Sequence, residues 1–326
     1  MLPDLNDLLG TARVVSLPLV TRFRGIDTRE ALLLEGPQGW TEFSPFVEYD
    51  DAESAAWLWA AIEFGWQQTP DVVRERIPVN ATVPAVEPAA VVAVLARFPG
   101  CRTAKVKVAS LGQTLADDVA RVREVRSVLG PEGRIRIDAN GLWNLDEAEH
   151  AIHALAEFDL EYVEQPCASI DELAEIRRRT HYLTVPIAAD ESVRRSDDPL
   201  AVARAGAADI LVLKAQPQGG IRAALSVSRQ TGLPVVVSSA LDTSVGIAMG
   251  AYLAAALPEL EFDCGLGTAS LLAADVTTEP LLPVDGSIPV RRVVPDAALL
   301  DQHAASAERR DWWLERLARV YEVVAD

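Results

Sequence analysis

RIRIDAN (134–140), LEYVEQP (160–166) and PIAADES (186–192) are three short runs rich in apolar residues, each carrying an acid near its end. Read outward from these, runs of the same kind recur. VNATV (79–83) and AKVKV (104–108) come before them, and DILVLKA (209–215), PVVVSSA (234–240) and EFDCGLG (261–267) come after. Successive starts lie 23 to 30 residues apart, the length of one strand plus one helix. The stretches between them are helical in pattern. LADDVARVREVRSVLG (115–130) places Leu115, Val119, Val122, Val125 and Leu129 at three- and four-residue steps and stops at Gly130-Pro131. NLDEAEHAIHALAEF (144–158) opens on an asparagine cap and an acidic first turn. Eight parallel strands, each leading into a helix, predict an α/β fold of the TIM type, a (β/α) barrel. A doubly wound open sheet would carry a glycine-rich phosphate turn after its first strand, and VNATVPAVEP offers none.

Residues 1–78 do not share this period. ARVVSLPLV, EALLLEG and GWTEFSPF read as strands and DDAESAAWLWAAIEFGWQQ as a helix, which predicts a small α+β domain over 1–78 and a barrel over 79–285. The remainder, 286–326, holds an amphipathic helix around 306–323 expected to pack back on the first domain. Trp57, Trp59, Trp66, Trp312 and Trp313 read as core and domain-contact residues rather than a cofactor box. A net charge of −18 argues against nucleic acid and anionic membrane as partners, but not against a small anionic substrate met by a local cationic site. No run of 18 apolar residues exists, the N-terminus lacks a basic, then apolar, leader, and Cys101, Cys167 and Cys264 lack metal-ligand spacing. A cytoplasmic protein with reduced thiols is the expectation. The sequence is silent on oligomeric state; a monomer is compatible with it.

The chain holds 27 arginines and three lysines: Lys105, Lys107 and Lys214. Arginine is permanently charged, whereas lysine can lose its proton, so lysine is the residue that proton transfer requires. In a barrel of this kind catalytic groups sit at the C-terminal strand ends. There the runs place Lys105 and Lys107, then Asp138 and Asn140, Glu164, Asp190 and Glu191, Lys214, and finally Ser238 and Ser239. Carboxylates gathered from three consecutive strands repel unless a cation neutralises them. Oxygen-only ligands suit Mg²⁺, with Mn²⁺ as a substitute, and not Zn²⁺. The four histidines (His150, His153, His181, His303) fall in helical or tail segments. The plainer reading pairs each acid with an arginine at a strand end; three acids on consecutive strands favour the cation.

The order KVK (105–107), DAN (138–140), EQP (164–166), DES (190–192) and KAQPQGG (214–220) resembles the muconate lactonising enzyme-like subgroup of the enolase superfamily. The resemblance implies a modified (β/α)7β barrel under an N-terminal capping domain. It implies that Asp138, Glu164 and Asp190 bind Mg²⁺ and that Lys107 and Lys214 are the acid/base pair, as lysine bases are in this superfamily. Lys105 would then lower the pKa of Lys107, with Asn140 and Glu191 as supporting partners. RFRGI (22–26) resembles the capping loop of actinobacterial dehydratases of the subgroup. That implies syn-dehydration of 2-succinyl-6-hydroxy-2,4-cyclohexadiene-1-carboxylate through an enediolate, in menaquinone biosynthesis. Ser238, Ser239, Gly265, Arg22 and Arg24 are candidates to bind the second carboxylate of this dicarboxylate substrate. Racemisation of N-succinylamino acids or epimerisation of dipeptides uses the same lysine pair and stays open. A class I aldolase using Lys214 would leave the three carboxylates unexplained, and a scaffold barrel would leave the lysines unexplained too.

Overall fold

The structure, a computed structural model, describes residues 2–194 and 198–325. Helix α1 (Leu5–Thr11), capped by Asp4, leads into an antiparallel sheet of β1 (Arg13–Phe23), β2 (Ile26–Gly36) and β3 (Gly39–Phe43). Successive side chains of a strand point to opposite faces. On β2 this sends Ala31 and Leu33 into the large core shared with the barrel. Leu32 and Leu34 go to a second core with Phe43, Trp57 and Trp313. Helix α2 (Asp51–Trp66) starts where Asp50 accepts the Glu53 N–H, and it packs on this sheet.

The barrel follows in chain order. After β4 (Arg76–Pro78), its elements are β5 (Ala81–Val83), α3 (Val91–Leu95), β6 (Thr103–Lys107), α4 (Leu115–Leu129), β7 (Arg134–Asp138), α5 (Leu145–Leu155), β8 (Leu160–Glu164) and α6 (Ile170–Thr180). Next come β9 (Ile187–Ala189), the short α7 (Glu191–Arg194) and α8 (Ala201–Arg204), β10 (Ile210–Leu213), α9 (Ile221–Thr231), β11 (Val235–Val237) and α10 (Ser244–Ala256). Strands β5 to β11 form one parallel sheet in sequence order. Finally β12 (Ser287–Pro289) pairs antiparallel with β4, and α11 (Ala297–Gln302) precedes α12 (Ala307–Ala325), which packs on α2.

The helices begin where their caps dictate. Thr114 with Asp117, Asn144 with Glu147 and Ser169 with Glu172 each form a reciprocal capping box. Trp57 and Trp313 are buried as expected, whereas Trp59 is 39% exposed.

The eighth expected strand differs. EFDCGLG is reduced to two parallel bridges, Cys264 to Val79 and Gly265 to Ser238, and these join the two edges of the seven-stranded sheet. The backbone hydrogen bonds Cys264 N–H to Pro78 O and Gly265 N–H to Val237 O carry the closure. A Cβ at Gly265 would lie 2.5 Å from Ser238 Oγ, so glycine is what permits this close approach.

Candidate active site

Alternation along the strands sets what enters the barrel. Ile135 and Ile137 of β7 face the surrounding helices in the large core, so Arg136 and Asp138 face inward. On β8 the inward residues are Tyr162 and Glu164, and Tyr162 packs inside with Ala188, Val212 and Val236. Lys214 and Ser238 lie two residues beyond Val212 and Val236 and so share that face. Register then levels the polar groups: Lys107, Asp138 and Glu164 are direct partners across β6, β7 and β8, and Asp190 follows the last residue of β9.

The three carboxylates are almost wholly buried, at 0%, 0% and 1% exposure for Asp138, Glu164 and Asp190. Lys105 Nζ bridges two of them, 2.8 Å from Asp138 Oδ2 and 2.5 Å from Glu164 Oε1. Lys107 Nζ lies 2.5 Å from Asp138 Oδ2 and 2.8 Å from Asn140 Oδ1. Lys214 Nζ lies 2.5 Å from Asp190 Oδ2, with three strands of the sheet between it and the strand of Lys107. Arg194 Nε donates to Asp190 Oδ1 at 3.1 Å. Among these acids only Asp190 meets an arginine among the described residues; the others are neutralised by lysine.

Burial and neighbouring charge divide the titrations. Burial pushes the Glu164 carboxyl up, Asp138 adds to this, and Lys105 opposes it, leaving Glu164 at about 7. Burial also pushes Asp138 up, but the Lys105 and Lys107 ammonium groups outweigh it and hold Asp138 far below the usual carboxylate range. Asp190 is likewise desolvated, yet Lys214 and Arg194 bring it down to about 2. Burial lowers Lys107; Asp138 resists, the Lys105 charge lowers it further, and the net direction is down. Lys105 is also desolvated, but its carboxylates hold it well above the ordinary lysine value.

The expectation that three acids converge directly on one cation meets a different arrangement. Among the described residues no three His, Cys, Asp or Glu side chains stand close enough together to grip an ion, and the lysine ammonium groups supply the compensating charge. The donor set nonetheless fits a hard divalent cation. It is all oxygen, and Glu164 Oε2 is buried with no hydrogen-bond partner among the described residues, a costly state unless another cation is received there.

A cavity of about 40 Å³ is lined by Lys105, Lys107, Asn140 and Lys214. Ser238, Ser239, Gly265 and Arg24 line the same cavity, so four of the five sequence candidates for substrate contact share it. Ser239 Oγ donates to Gly265 O at 2.9 Å and lies 2.6 Å from Thr268 Oγ1. Arg24 stacks 4.0 Å over the Phe46 ring. Arg22 is not among the lining residues: its guanidinium donates to Gly25 O across the β1–β2 turn. A more open groove of about 320 Å³ at the N-terminal end of β11, beside Leu257 and Pro258, holds none of the lysines or the three carboxylates.

Asn140 adopts φ +49° just past its strand and links Lys107 to Glu191, whose Oε1 accepts its amide at 3.2 Å and Arg194 at 2.8 Å. Sequence reading missed Gln165. Fully buried with φ +39°, it accepts the Asp190 and Ser192 N–H groups at 3.0 and 3.2 Å and donates to Cys167 O and Ser192 Oγ. It thereby ties the end of β8 to the end of β9. Its only signal was its place between a strand-end acid and a proline. Arg194, Phe46, Thr82 and Leu241 were also missed: Phe46 comes from the other domain, Leu241 from the segment after β11 and Arg194 from the short α7, while Thr82 sits within β5 rather than at a strand end.

Residues 14–65 match the family described as enolase N-terminal domain-like, and residues 89–297 the enolase C-terminal domain-like family. The chain is 56% identical to an o-succinylbenzoate synthase of Mycobacterium marinum, over 98% of this chain and 96% of that protein. It is 55% identical to the o-succinylbenzoate synthase of Mycobacterium tuberculosis, over 99% and 98%. In fold it is similar to muconate lactonizing enzyme from Pseudomonas fluorescens, with a TM-score of 0.77 at 21% identity over 90% of this chain and 98% of that one. The chain therefore belongs to the enolase superfamily and, within it, to the o-succinylbenzoate synthase family.

Proposed function

We propose that this chain dehydrates 2-succinyl-6-hydroxy-2,4-cyclohexadiene-1-carboxylate to o-succinylbenzoate, a step in menaquinone biosynthesis, in the cytoplasm. Family membership implies a divalent metal, and the all-oxygen donor set favours Mg²⁺, with Mn²⁺ as a substitute. Asp138, Glu164 and Asp190 would hold it. When bound, the cation supplies positive charge that draws electron density from the substrate carboxylate.

Lys107 is the residue whose free amine takes the proton α to that carboxylate, because burial and the Lys105 charge both push it toward the neutral form. The electron pair of the broken C–H bond moves onto the carboxylate. It returns as the C–O bond to the ring hydroxyl breaks, and the new Lys107 ammonium protonates the departing oxygen, which leaves as water. Lys214 presents its ammonium from the far side of the cavity, where it offsets the transient negative charge and faces the ring. Asn140 holds Lys107 in line through their 2.8 Å hydrogen bond. Ser238, Ser239, Gly265 and Arg24 line the cavity and would receive the succinyl carboxylate.

The observation that carries this reading is that all three lysines of the chain line one cavity, each bonded to at least one of the three buried acids. The test compares kcat/KM for loss of the cyclohexadiene with that for racemisation of N-succinylamino acids, both with saturating Mg²⁺. Preference for dehydration supports the synthase. Fast racemisation with no dehydration would keep the lysine pair and replace the substrate.

A further inference from the structure

We propose that Arg29 is a positioning residue for this reaction: from behind the cavity wall it holds Ala240, Leu241 and Phe46 in the shape that receives the substrate. The inference rests on the function proposed above. Arg29 lies on β2, 2% exposed, and does not reach Lys107, Lys214 or the three carboxylates. Its Nε donates to Leu241 O at 3.1 Å, and one terminal nitrogen donates to Ala240 O, Ser44 O and Ser44 Oγ. Its guanidinium carbon stands 4.6 Å from the centre of the Phe46 ring. Burying a guanidinium is costly, and among the described residues none of its hydrogen bonds goes to a carboxylate. The planar fork is spent instead on backbone oxygens of two chain segments that must meet.

Those segments form the wall. Ala240, Leu241 and Phe46 all line the cavity, and Leu241 sits at φ +63°, a conformation a leucine keeps only when its surroundings impose it. Behind Arg29 the network spreads. Ser44 Oγ donates to Glu42 Oε1 at 2.6 Å, and Glu42 Oε2 accepts from Thr243 N, Thr243 Oγ1 and Gly246 N. Gln216, two residues beyond Lys214, donates to Asp242 at 3.0 Å. One buried cation thus joins the capping sheet to the segment after β11, and through Asp242 and Gln216 to the segment that carries Lys214. Because it shapes the wall without touching the reacting groups, its loss falls on substrate binding.

The experiment uses the full chain with Mg²⁺ and compares wild type, Arg29→Met, Arg29→Lys and Arg29→Met/Leu241→Gly. It measures steady-state turnover of the cyclohexadiene and amide hydrogen exchange. In Arg29→Met, KM is expected to rise about tenfold or more with kcat within about threefold. Amides of 239–243 are expected to exchange about tenfold faster while those of 187–189 in β9 keep their rate. Glycine at 241 adopts positive φ freely and should recover part of the KM. Unchanged KM and exchange would overturn the proposal. So would exchange that accelerates equally throughout, with no recovery from Leu241→Gly, since that describes a general stability role. If Arg29→Met does not fold, Arg29→Lys carries the same comparison, because an ammonium cannot span the same carbonyls. A wild type that does not turn over the cyclohexadiene would sink the proposed function, while the exchange comparison would still decide the role of Arg29.

Discussion

Lys107 and Lys105 stand two residues apart on one strand face, yet their environments drive them in opposite directions. Lys105 is clasped by two carboxylates and stays charged; Lys107 shares Asp138 with it and feels its repulsion. Lys107→Ala and Lys214→Ala should each lower kcat by about 10³-fold or more while the far-ultraviolet circular dichroism stays that of the wild type. Gln165→Ala strands the buried Asp190 and Ser192 N–H groups, and it should cost about 1–3 kcal/mol in a denaturant titration. These residues differ in how they could be read beforehand. The lysines and acids were legible because a strand end in a barrel is a fixed address. Gln165 was not, because its importance lies in hydrogen bonds to backbone groups of the next strand. Arg22 and Arg24 looked alike in RFRGI, but the turn at Gly25 sends one guanidinium back on its own backbone and the other to the cavity.

At the scale of elements, helix starts and strand positions were legible from caps and period. The barrel closure was not. Nothing in EFDCGLG distinguishes a strand from two bridges until Gly265 is seen pressed against Ser238. The segment after β9 also departs from the repeat. It begins with the four-residue α7, whose Arg194 turns back to Asp190 and Glu191 and to the Tyr49 hydroxyl of the capping domain. The C-terminal helix α12 returns to α2, and Trp313 is its anchor, fully buried, edge-on to Phe43 and donating to Glu30 Oε2 at 2.9 Å. Trp313→Ala should therefore cost about 3–5 kcal/mol of stability, measured by urea unfolding. A loss of under about 1 kcal/mol would mean that α12 contributes little to holding the capping domain.

Across the whole molecule, the sheet of the first domain and the barrel meet over buried charge as well as apolar surface. Glu42 is pushed up to about 7 by burial and then by the nearby Asp242 charge, against the hydrogen bonds of Ser44 and Thr243 and the charge of Arg29. Asp242 is raised too, by burial first. A carboxyl with a raised folded-state pKa binds its proton more tightly when folded. Its stabilising share is complete below about pH 4.5 and is lost as pH rises through about 7. Wild-type stability should thus fall between pH 5 and pH 8 relative to Glu42→Gln, by on the order of 2 kcal/mol, in paired urea titrations. Parallel curves would show that Glu42 does not carry this proton. None of this interface was legible in the sequence, since Glu42 and Asp242 lie two hundred residues apart with no motif between them.

The decisive measurement follows loss of the cyclohexadiene absorbance by purified wild type with Mg²⁺, with excess EDTA, and by Lys107→Ala with Mg²⁺. Turnover by the wild type that chelation abolishes, that fresh Mg²⁺ restores and that the variant lacks is the predicted result. Turnover that survives EDTA, or that a folded Lys107→Ala retains, would contradict proton abstraction by Lys107 at a metal-dependent site.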